Sequence, residues 1–268
     1  LVSAVTNALL KQFRKNNIKT LIEEFHYPRF GPGQMYEAMA GAIERCGGKI
    51  LLETEVIGLR KEDQKIVSVR CVDKFGKVMG LEADHFISSL PLRELINSID
   101  PQQDESVIQA GKSLKYRAFI TVDLALNEEF LFPDNWIYVH SPEVKLGRIQ
   151  NFKQWSPSMV PEPGCSSLGL EYFCDEGDQL WCSRDEDLVN LAVEETSRLG
   201  LIKPEWVKWG KVIRVPKAYP VYDDDYQQAM PVIVPFVNEL ENLQTIGRNG
   251  MHRYNNMDHS ILTGLLAV

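Results

Sequence analysis

The chain has 268 residues, of which 44% are apolar and 25% charged, the balance of an ordinary globular protein with one large or two smaller domains. Its net charge of −8 argues against a nucleic-acid partner, because phosphate binding needs clustered Lys and Arg. No apolar run reaches the roughly 20 residues of a transmembrane helix, and no signal-peptide pattern is present. These features favour a cytoplasmic protein that acts on a small-molecule substrate.

The five cysteines are odd in number, and no two of them have Cys-x-x-Cys spacing. A disulfide framework and a metal site are therefore poorly supported. We expect reduced thiols and no metal. The positions are Cys46, Cys71, Cys165, Cys174 and Cys182.

The first part of the chain predicts helices and a β-meander. Residues 1–24 form a helical segment by their apolar spacing. A second helix, residues 34–46, ends at Gly47-Gly48, where the chain must turn. The β-branched and alternating stretches that follow predict strands, and a further helix comes last. The strands are 49–60, 66–72, 78–81 and 85–89, and the helix is 92–99.

The middle of the chain predicts a second, antiparallel sheet, because residues 116–127 alternate over a long span. A helix at 185–199 interrupts the strands, and residues 226–240 have helical spacing with Pro231 and Pro235 in the first turn or at a kink. The other strand candidates are 136–140, 148–152, 167–173 and 207–215.

The last elements are a short strand, 243–247, and a helix, 257–268, whose leucines at 262, 265 and 266 are expected to face inward with Ile261. A lone strand after an antiparallel block is expected to return to the first sheet. The predicted fold is thus α/β (α+β) with two interleaved units. One contains residues 25–115 and 242–268, and the other contains residues 116–241.

The stretch from Thr245 to Ser260 is the most informative for chemistry. A strand ends at Gly247-Arg248, a polar loop follows, and a helix begins near Asp258. A helix N-terminus has unpaired N–H groups and readily binds phosphate. Arg248 and Arg253 flank this point and could neutralise a pyrophosphate.

A plainer interpretation of the same stretch remains open. In it, Asp258 only caps the helix, and His252 and His259 are surface residues.

The string from Gly247 to Ser260 resembles the segment that closes the FAD site in the flavin-containing amine oxidase/protoporphyrinogen oxidase-like superfamily, especially its UDP-galactopyranose mutase branch. The resemblance implies that this strand belongs to the FAD-binding domain and that the loop and helix lie against the cofactor. Residue by residue, it implies these cofactor neighbours: Gly247, Arg248, Asn256, Met257 and Asp258.

Three further segments resemble the superfamily in the same order. Residues 27–35 resemble a Pro-x-x-Gly-x-Gly entry into a helix. Residues 54–59 resemble the strand whose backbone holds the adenine ring, which makes Val56 a cofactor neighbour. Residues 83–91 resemble a strand that ends at a proline near the cofactor.

Residues 217–222 resemble a stretch on the substrate side of the flavin. The resemblance implies that Tyr219 and Tyr222 contact the substrate, whereas aromatic residues at this spacing also fit ordinary sheet packing. No catalytic residue stands out, since the flavin itself carries the redox chemistry in such enzymes.

One element of the superfamily is missing. A dinucleotide-binding fingerprint needs Gly-x-Gly-x-x-Gly between a strand and a helix, and Gly31-Pro32-Gly33 lacks the third glycine and follows no strand. The resemblance places this element before Leu1. We therefore expect a carboxy-terminal part of a longer FAD enzyme, which alone binds FAD weakly or not at all and self-associates through uncovered apolar surface.

Three functions stay open at this point. The first is an FAD-dependent oxidoreductase. The second is a UDP-galactopyranose mutase-like, flavin-dependent isomerase of surface polysaccharide biosynthesis. The third is a flavin-fold binding domain without catalysis.

Overall fold

The computed structural model describes residues 25–268, and the helical segment predicted for residues 1–24 lies outside them. The strands are β1 Thr54–Glu62, β2 Lys65–Asp73, β3 Val78–Glu82, β4 Phe86–Ser88, β5 Ile99–Asp100, β6 Tyr116–Leu126, β7 Trp136–Tyr138, β8 Arg148–Asn151, β9 Ser166–Cys174, β10 Val207–Pro220 and β11 Leu243–Thr245. The helices are α1 Gly33–Arg45, α2 Leu92–Ser98, α3 Glu105–Ser113, α4 Phe152–Trp155, α5 Asp185–Arg198, α6 Asp224–Asn238, α7 Gly247–Gly250 and α8 Met257–Ala267. The mixed fold class predicted from the sequence is confirmed.

The middle of the chain forms a five-stranded antiparallel sheet with the order β10-β6-β9-β8-β7. Strand β6 alternates as its sequence predicts, with Ile120, Val122 and Leu124 fully buried against helix α5. Burying each such side chain contributes about 1.5–3 kcal/mol. The opposite face of β6 is only half-buried and remains open for other contacts.

A four-stranded sheet, β3-β2-β1-β5, contains the predicted meander. The buried side chain of Asn242, just before β11, connects this sheet to the segment that precedes β4. Its Oδ1 accepts a hydrogen bond from the N–H of Ile66, and its Nδ2 donates to the carbonyls of Ile66 and Asp84. Every polar atom of this buried amide is therefore paired.

Helix α6 packs in the core of the four-stranded sheet and not against the five-stranded one. Ala229, Ile233 and Val237 recur every four residues and lie among Leu95 and Ile96 of helix α2. The sequence grouped residues 224–241 with the middle block, and the structure packs this helix with the first core. Both prolines lie inside the helix and beyond its first turn, so the first-turn alternative is wrong, while the predicted kink stays a prediction.

Strands β4 and β11 form a two-stranded parallel sheet, in which Leu243 pairs with Phe86 and Thr245 with Ser88. The late strand thus pairs with a strand of the first region, whereas the division into two interleaved units stays a prediction.

Helix α8 does not bury the face that its sequence predicts. Leu262, Leu265 and Leu266 are 51%, 71% and 77% exposed, so the expectation that they face inward is wrong for the described chain. Helix α1 likewise buries no residue and exposes Met39 and Ile43. Both helices therefore present apolar side chains to the solvent in the described chain.

Across residues 25–268, no helix combines the length and the apolar character needed to cross a bilayer. All five cysteines are free thiols, of which Cys46 and Cys182 are exposed.

Candidate functional site

The candidate site is formed by two segments that contact each other. One is residues 247–256, here named the closing loop, and the other is residues 217–222, which include the end of strand β10 and the two residues after it. The ladder between β10 and β6 shifts register between Val215 and Tyr219, and Lys217 has a left-handed backbone with φ of 50°. Such a bulge takes its carbonyl groups out of the ladder. Asn249 Nδ2 donates to the carbonyl of Lys217 at 3.1 Å, and Arg248 Nη1 donates to that of Ala218 at 2.9 Å.

Arg248 also makes hydrogen bonds within the closing loop. Its Nε and Nη2 donate to the carbonyl of Asn255 at 3.0 and 2.7 Å, and its guanidinium carbon lies 4.8 Å from the ring centres of both Tyr219 and Tyr254. Three of its nitrogens are therefore used on backbone carbonyls. Arg253, the second predicted phosphate partner, is exposed.

His252 is fully buried in the closing loop, so the interpretation that makes it a surface residue is wrong. Its Nε2 lies 3.3 Å from the carbonyl of Val221, and its ring contacts Tyr116 edge-on and stacks on Tyr226. Burial lowers the pKa of His252 below its usual value of 6.5, although the nearby carbonyl of Val221 and the carboxylate of Asp223 oppose this shift.

Helix α8 starts with an uncapped N-terminus. Asn256 precedes it in an extended conformation, and no side chain caps its first N–H groups. Oδ1 of Asp258 instead lies 3.2 Å from Nδ1 of the exposed His259, so the interpretation of Asp258 as a simple helix cap is wrong. Asn256, Met257 and Asp258 are all exposed.

Three buried polar atoms of the closing loop have no hydrogen-bond partner among residues 25–268: Asn249 Oδ1, His252 Nδ1 and Asn255 Nδ2. Buried polar groups are nearly always paired, so these three atoms are the points of the loop at which a water molecule or a ligand would be accommodated. The loop therefore offers both a donor and an acceptor to a polar cofactor beside an uncapped helix N-terminus. Of these groups, only Asn255 Nδ2 and the N–H groups at the start of helix α8 are donors that suit the phosphates of a flavin nucleotide, whereas Asn249 Oδ1 and His252 Nδ1 are acceptors.

The open face of the five-stranded sheet adjoins this loop. Glu171, only 4% exposed, forms an ion pair with Arg148 and accepts a hydrogen bond from Gln150 at 2.6 Å. The guanidinium carbon of Arg148 lies 4.9 Å from the ring centre of Phe173 and 5.6 Å from that of Trp136. Two aromatic rings thus flank a buried ion pair.

The protonation of this pair follows from its surroundings. Burial alone would lower the pKa of Arg148, but its hydrogen bond to Tyr219 and the charge of Glu171 outweigh burial and raise that pKa above its usual range. Arg148 therefore stays charged on this face.

Tyr219 connects the sheet face to the closing loop, since its hydroxyl accepts a hydrogen bond from Arg148 Nη2 at 2.9 Å while its ring lies against Arg248. Tyr222 is 51% exposed, and its hydroxyl accepts a hydrogen bond from the backbone N–H of Tyr254. The two predicted substrate residues therefore touch the predicted cofactor loop. Both also make structural contacts.

Sequence reasoning missed Arg148, Glu171 and Asp123. The signal was available, because they are polar residues on the half-buried face of predicted strands, where alternation already defines the other face as core. Asp123 Oδ1 is buried without a partner in the described chain, and burial raises the pKa of this carboxyl.

Val56 lies in strand β1 of the four-stranded sheet, where it is partly buried against the first core. A register shift follows it between Val56 and Gly58. Of the predicted cofactor residues, Val56 thus lies in a strand, whereas Gly247 and Arg248 lie in helix α7, Asn256 precedes helix α8, and Met257 and Asp258 begin that helix.

No protein-family model and no curated protein sequence matches the chain. Solved structures do match its fold. A reduced UDP-galactopyranose mutase superimposes with a TM-score of 0.74 over 89% of this chain and 50% of its own, at 18% identity. A protoporphyrinogen oxidase-like protein from Exiguobacterium sp. 255-15 gives 0.63 over 88% and 51%, at 14% identity. An oxidoreductase from Methanosarcina mazei gives 0.57 over 88% and 53%, at 17% identity.

The chain spans about half the length of these structures. Since the identities are low, the likeness concerns the fold. The chain thus shares the fold of the matching half of a UDP-galactopyranose mutase and of a protoporphyrinogen oxidase-like protein, the two kinds of protein to which the sequence resemblance pointed.

Proposed function

We propose that this chain supplies the cofactor-closing loop and the substrate-facing sheet of an FAD-dependent oxidoreductase. The observation that carries the proposal is the contact between the closing loop and residues 217–222. Four hydrogen bonds join the two segments, from Arg248, Asn249, His252 and the backbone of Tyr254. A loop that binds the flavin would thereby adjoin the residues that meet the substrate.

In this proposal FAD lies along the closing loop and the start of helix α8. The backbone at Gly247 and the exposed residues Asn256, Met257 and Asp258 would contact it, with Val56 at the adenine. Arg248 would act by holding the loop, because its donors are already used on carbonyl groups. A bound flavin would supply the electron transfer, and the protein would supply position and electrostatics.

The substrate would lie on the open sheet face beside Tyr219. With Arg148 donating to its oxygen, the Tyr219 hydroxyl proton is free to point toward a substrate acceptor. The rings of Phe173 and Trp136 provide flat apolar contact area on the same face.

A second candidate is a flavin-dependent isomerase that acts on a UDP-sugar. The observation in its favour is the TM-score of 0.74 with a UDP-galactopyranose mutase, against 0.63 and 0.57 for the two oxidase-like structures. The third candidate, a binding domain without catalysis, has the same fold but requires no flavin.

Absorbance and activity assays on the purified natural polypeptide that carries these residues distinguish the three candidate functions. We expect a yellow protein with a flavin absorbance spectrum that consumes oxygen with an amine or a porphyrinogen. Isomerisation of a UDP-sugar such as UDP-galactopyranose without oxygen uptake would support the isomerase instead. A colourless protein that takes up no added FAD would contradict both enzyme proposals.

A further inference from the structure

The closing loop contains one residue whose surroundings are unusual for its type. His252 has no exposed surface and a left-handed backbone with φ of 45°. A non-glycine residue in a sparsely populated backbone region is strained and persists only where its surroundings compensate. Glycine would adopt this conformation at no such cost, so the imidazole itself must contribute to the loop.

The imidazole is held by two different parts of the fold. Tyr116 of strand β6 meets it edge-on with ring centres 4.8 Å apart, Tyr226 of helix α6 stacks on it at 5.5 Å, and Tyr222 lies edge-on at 6.5 Å. Its Nε2 faces the carbonyl of Val221. His252 thereby touches both the five-stranded sheet and the helix of the first core.

His252 lies in the middle of the closing loop, between the residues that bind the β10 bulge and those that contact Arg248. Before His252 in the sequence, Arg248 and Asn249 donate hydrogen bonds to carbonyl groups of the β10 bulge. After it come Tyr254 and Asn255, and the carbonyl of Asn255 accepts a hydrogen bond from Arg248. We propose that His252 is a positioning residue, which anchors the closing loop between strand β6 and helix α6 and so places Arg248 and Tyr254 against Tyr219. Its importance for a flavin enzyme rests on the proposed function, whereas the anchoring itself does not.

The charged groups that face His252 are few. Asp223 and Arg93 act on it with opposite signs, and Asp223 is already paired with Lys115 at 2.9 Å. The remaining neighbours are the uncharged tyrosines. A proton added to this ring would therefore be buried without a strong partner, which favours the form with a proton on Nε2 alone, donated to Val221.

The test uses this chain without any cofactor. His252→Gly removes the anchor and relieves the backbone, and His252→Gln restores an N–H donor at similar reach. Asp63→Gly is the matched control, because Asp63 has a similar φ of 51° in the exposed turn between β1 and β2. The readout is tryptic cleavage after Arg253, which is exposed within the loop, together with amide hydrogen exchange of residues 247–256.

We expect His252→Gly to be cleaved about tenfold faster or more, the effect of roughly 1.4 kcal/mol on loop opening. His252→Gln should recover most of the protection, and Asp63→Gly should change neither readout. The protection factors of the loop amides, which correct for the intrinsic pH dependence of exchange, should also fall in the natural sequence as the pH drops below 6.5, and in His252→Gln they should stay constant. That difference reports the buried, uncharged imidazole, which the glutamine variant lacks.

Unchanged loop protection in His252→Gly would overturn the proposal. If the variants fail to fold, ¹⁵N spectroscopy of the natural sequence decides. A neutral imidazole protonated on Nε2 at pH 7 supports the anchor, and a charged ring or a proton on Nδ1 contradicts it. None of these outcomes depends on FAD, so the proposed function stands or fails separately.

Discussion

The guanidinium carbon of Arg248 lies 4.8 Å from the centre of the Tyr219 ring, whose hydroxyl accepts a hydrogen bond from Arg148. Two arginines from different parts of the fold therefore act on one tyrosine. Through it, the closing loop, the β10 bulge and the buried ion pair of the open sheet face form one connected set of contacts.

Replacing Arg248 by Lys should destabilise the fold although the charge is kept. Arg248 makes three hydrogen bonds to carbonyl groups, and each contributes about 0.5–1.5 kcal/mol. We expect the free energy of unfolding in urea to fall by about 2–3 kcal/mol on this basis. Arg253→Lys, in the same loop but exposed, is the control and should change it by less than about 0.5 kcal/mol. Equal effects would contradict the structural role of Arg248.

Glu171→Leu should leave Arg148 buried without its carboxylate. Removing one partner of a buried pair typically costs about 3–5 kcal/mol, because the other charge remains uncompensated. The double variant with Arg148→Met should recover much of that loss, since two apolar groups of similar size then pack against Phe173 and Trp136. Urea unfolding of the four proteins of this cycle measures the coupling. Additive losses would show that the pair is not coupled.

The free energy of unfolding should decrease as the pH is lowered, and His252 should account for part of that decrease. Burial lowers the pKa of this residue in the folded chain, so the unfolded chain binds a proton first as the pH drops through 6.5. The free energy of unfolding then decreases by at most about 1.4 kcal/mol per pH unit from this group. As the pH is lowered from 8 to 5, the natural sequence should therefore lose stability relative to His252→Gln. Urea unfolding of both proteins across this range measures the difference. A difference independent of pH would contradict the buried, uncharged imidazole.

Much of this fold follows from local pattern. Strand β6 alternates because one face packs on helix α5, and the sequence carries that period directly. The partner of helix α6 could not be predicted, since the stripe of Ala229, Ile233 and Val237 shows that a face is buried but not which core receives it. His252 was equally hidden, because a polar residue in a polar loop gives no sign that three tyrosines from distant segments enclose it.

The exposed face of helix α8 predicts self-association of the 268-residue chain. Leu265 and Leu266 are among its most exposed apolar side chains, and water contact with them is unfavourable. We expect oligomers in light-scattering measurements that decrease for Leu265→Glu. Phe75→Glu, at a comparably exposed but isolated turn position, is the control and should leave the oligomers unchanged. A monomeric natural sequence at all concentrations would contradict this expectation.

The last prediction concerns FAD itself, which this chain alone should bind weakly or not at all. Most dinucleotide affinity of such folds comes from the N–H groups of a glycine-rich turn and an acid at the ribose, and neither is encoded between Leu1 and Val268. Val56 and the closing loop belong to separate parts of the structure, and the loop offers only a few unpaired groups such as Asn255 Nδ2.

Each missing hydrogen bond removes about 0.5–1.5 kcal/mol, and about 1.4 kcal/mol is a tenfold change in affinity, so several together remove orders of magnitude. Titration of FAD into the purified chain, followed by flavin fluorescence, measures this directly. Asn255→Leu should weaken any residual binding, and Asn190→Leu, at an exposed position of helix α5, should not. Stoichiometric binding at micromolar FAD would mean that the closing loop alone holds the cofactor. A separate dinucleotide cradle would then be unnecessary, and the assignment of the loop as a covering element would have to be abandoned.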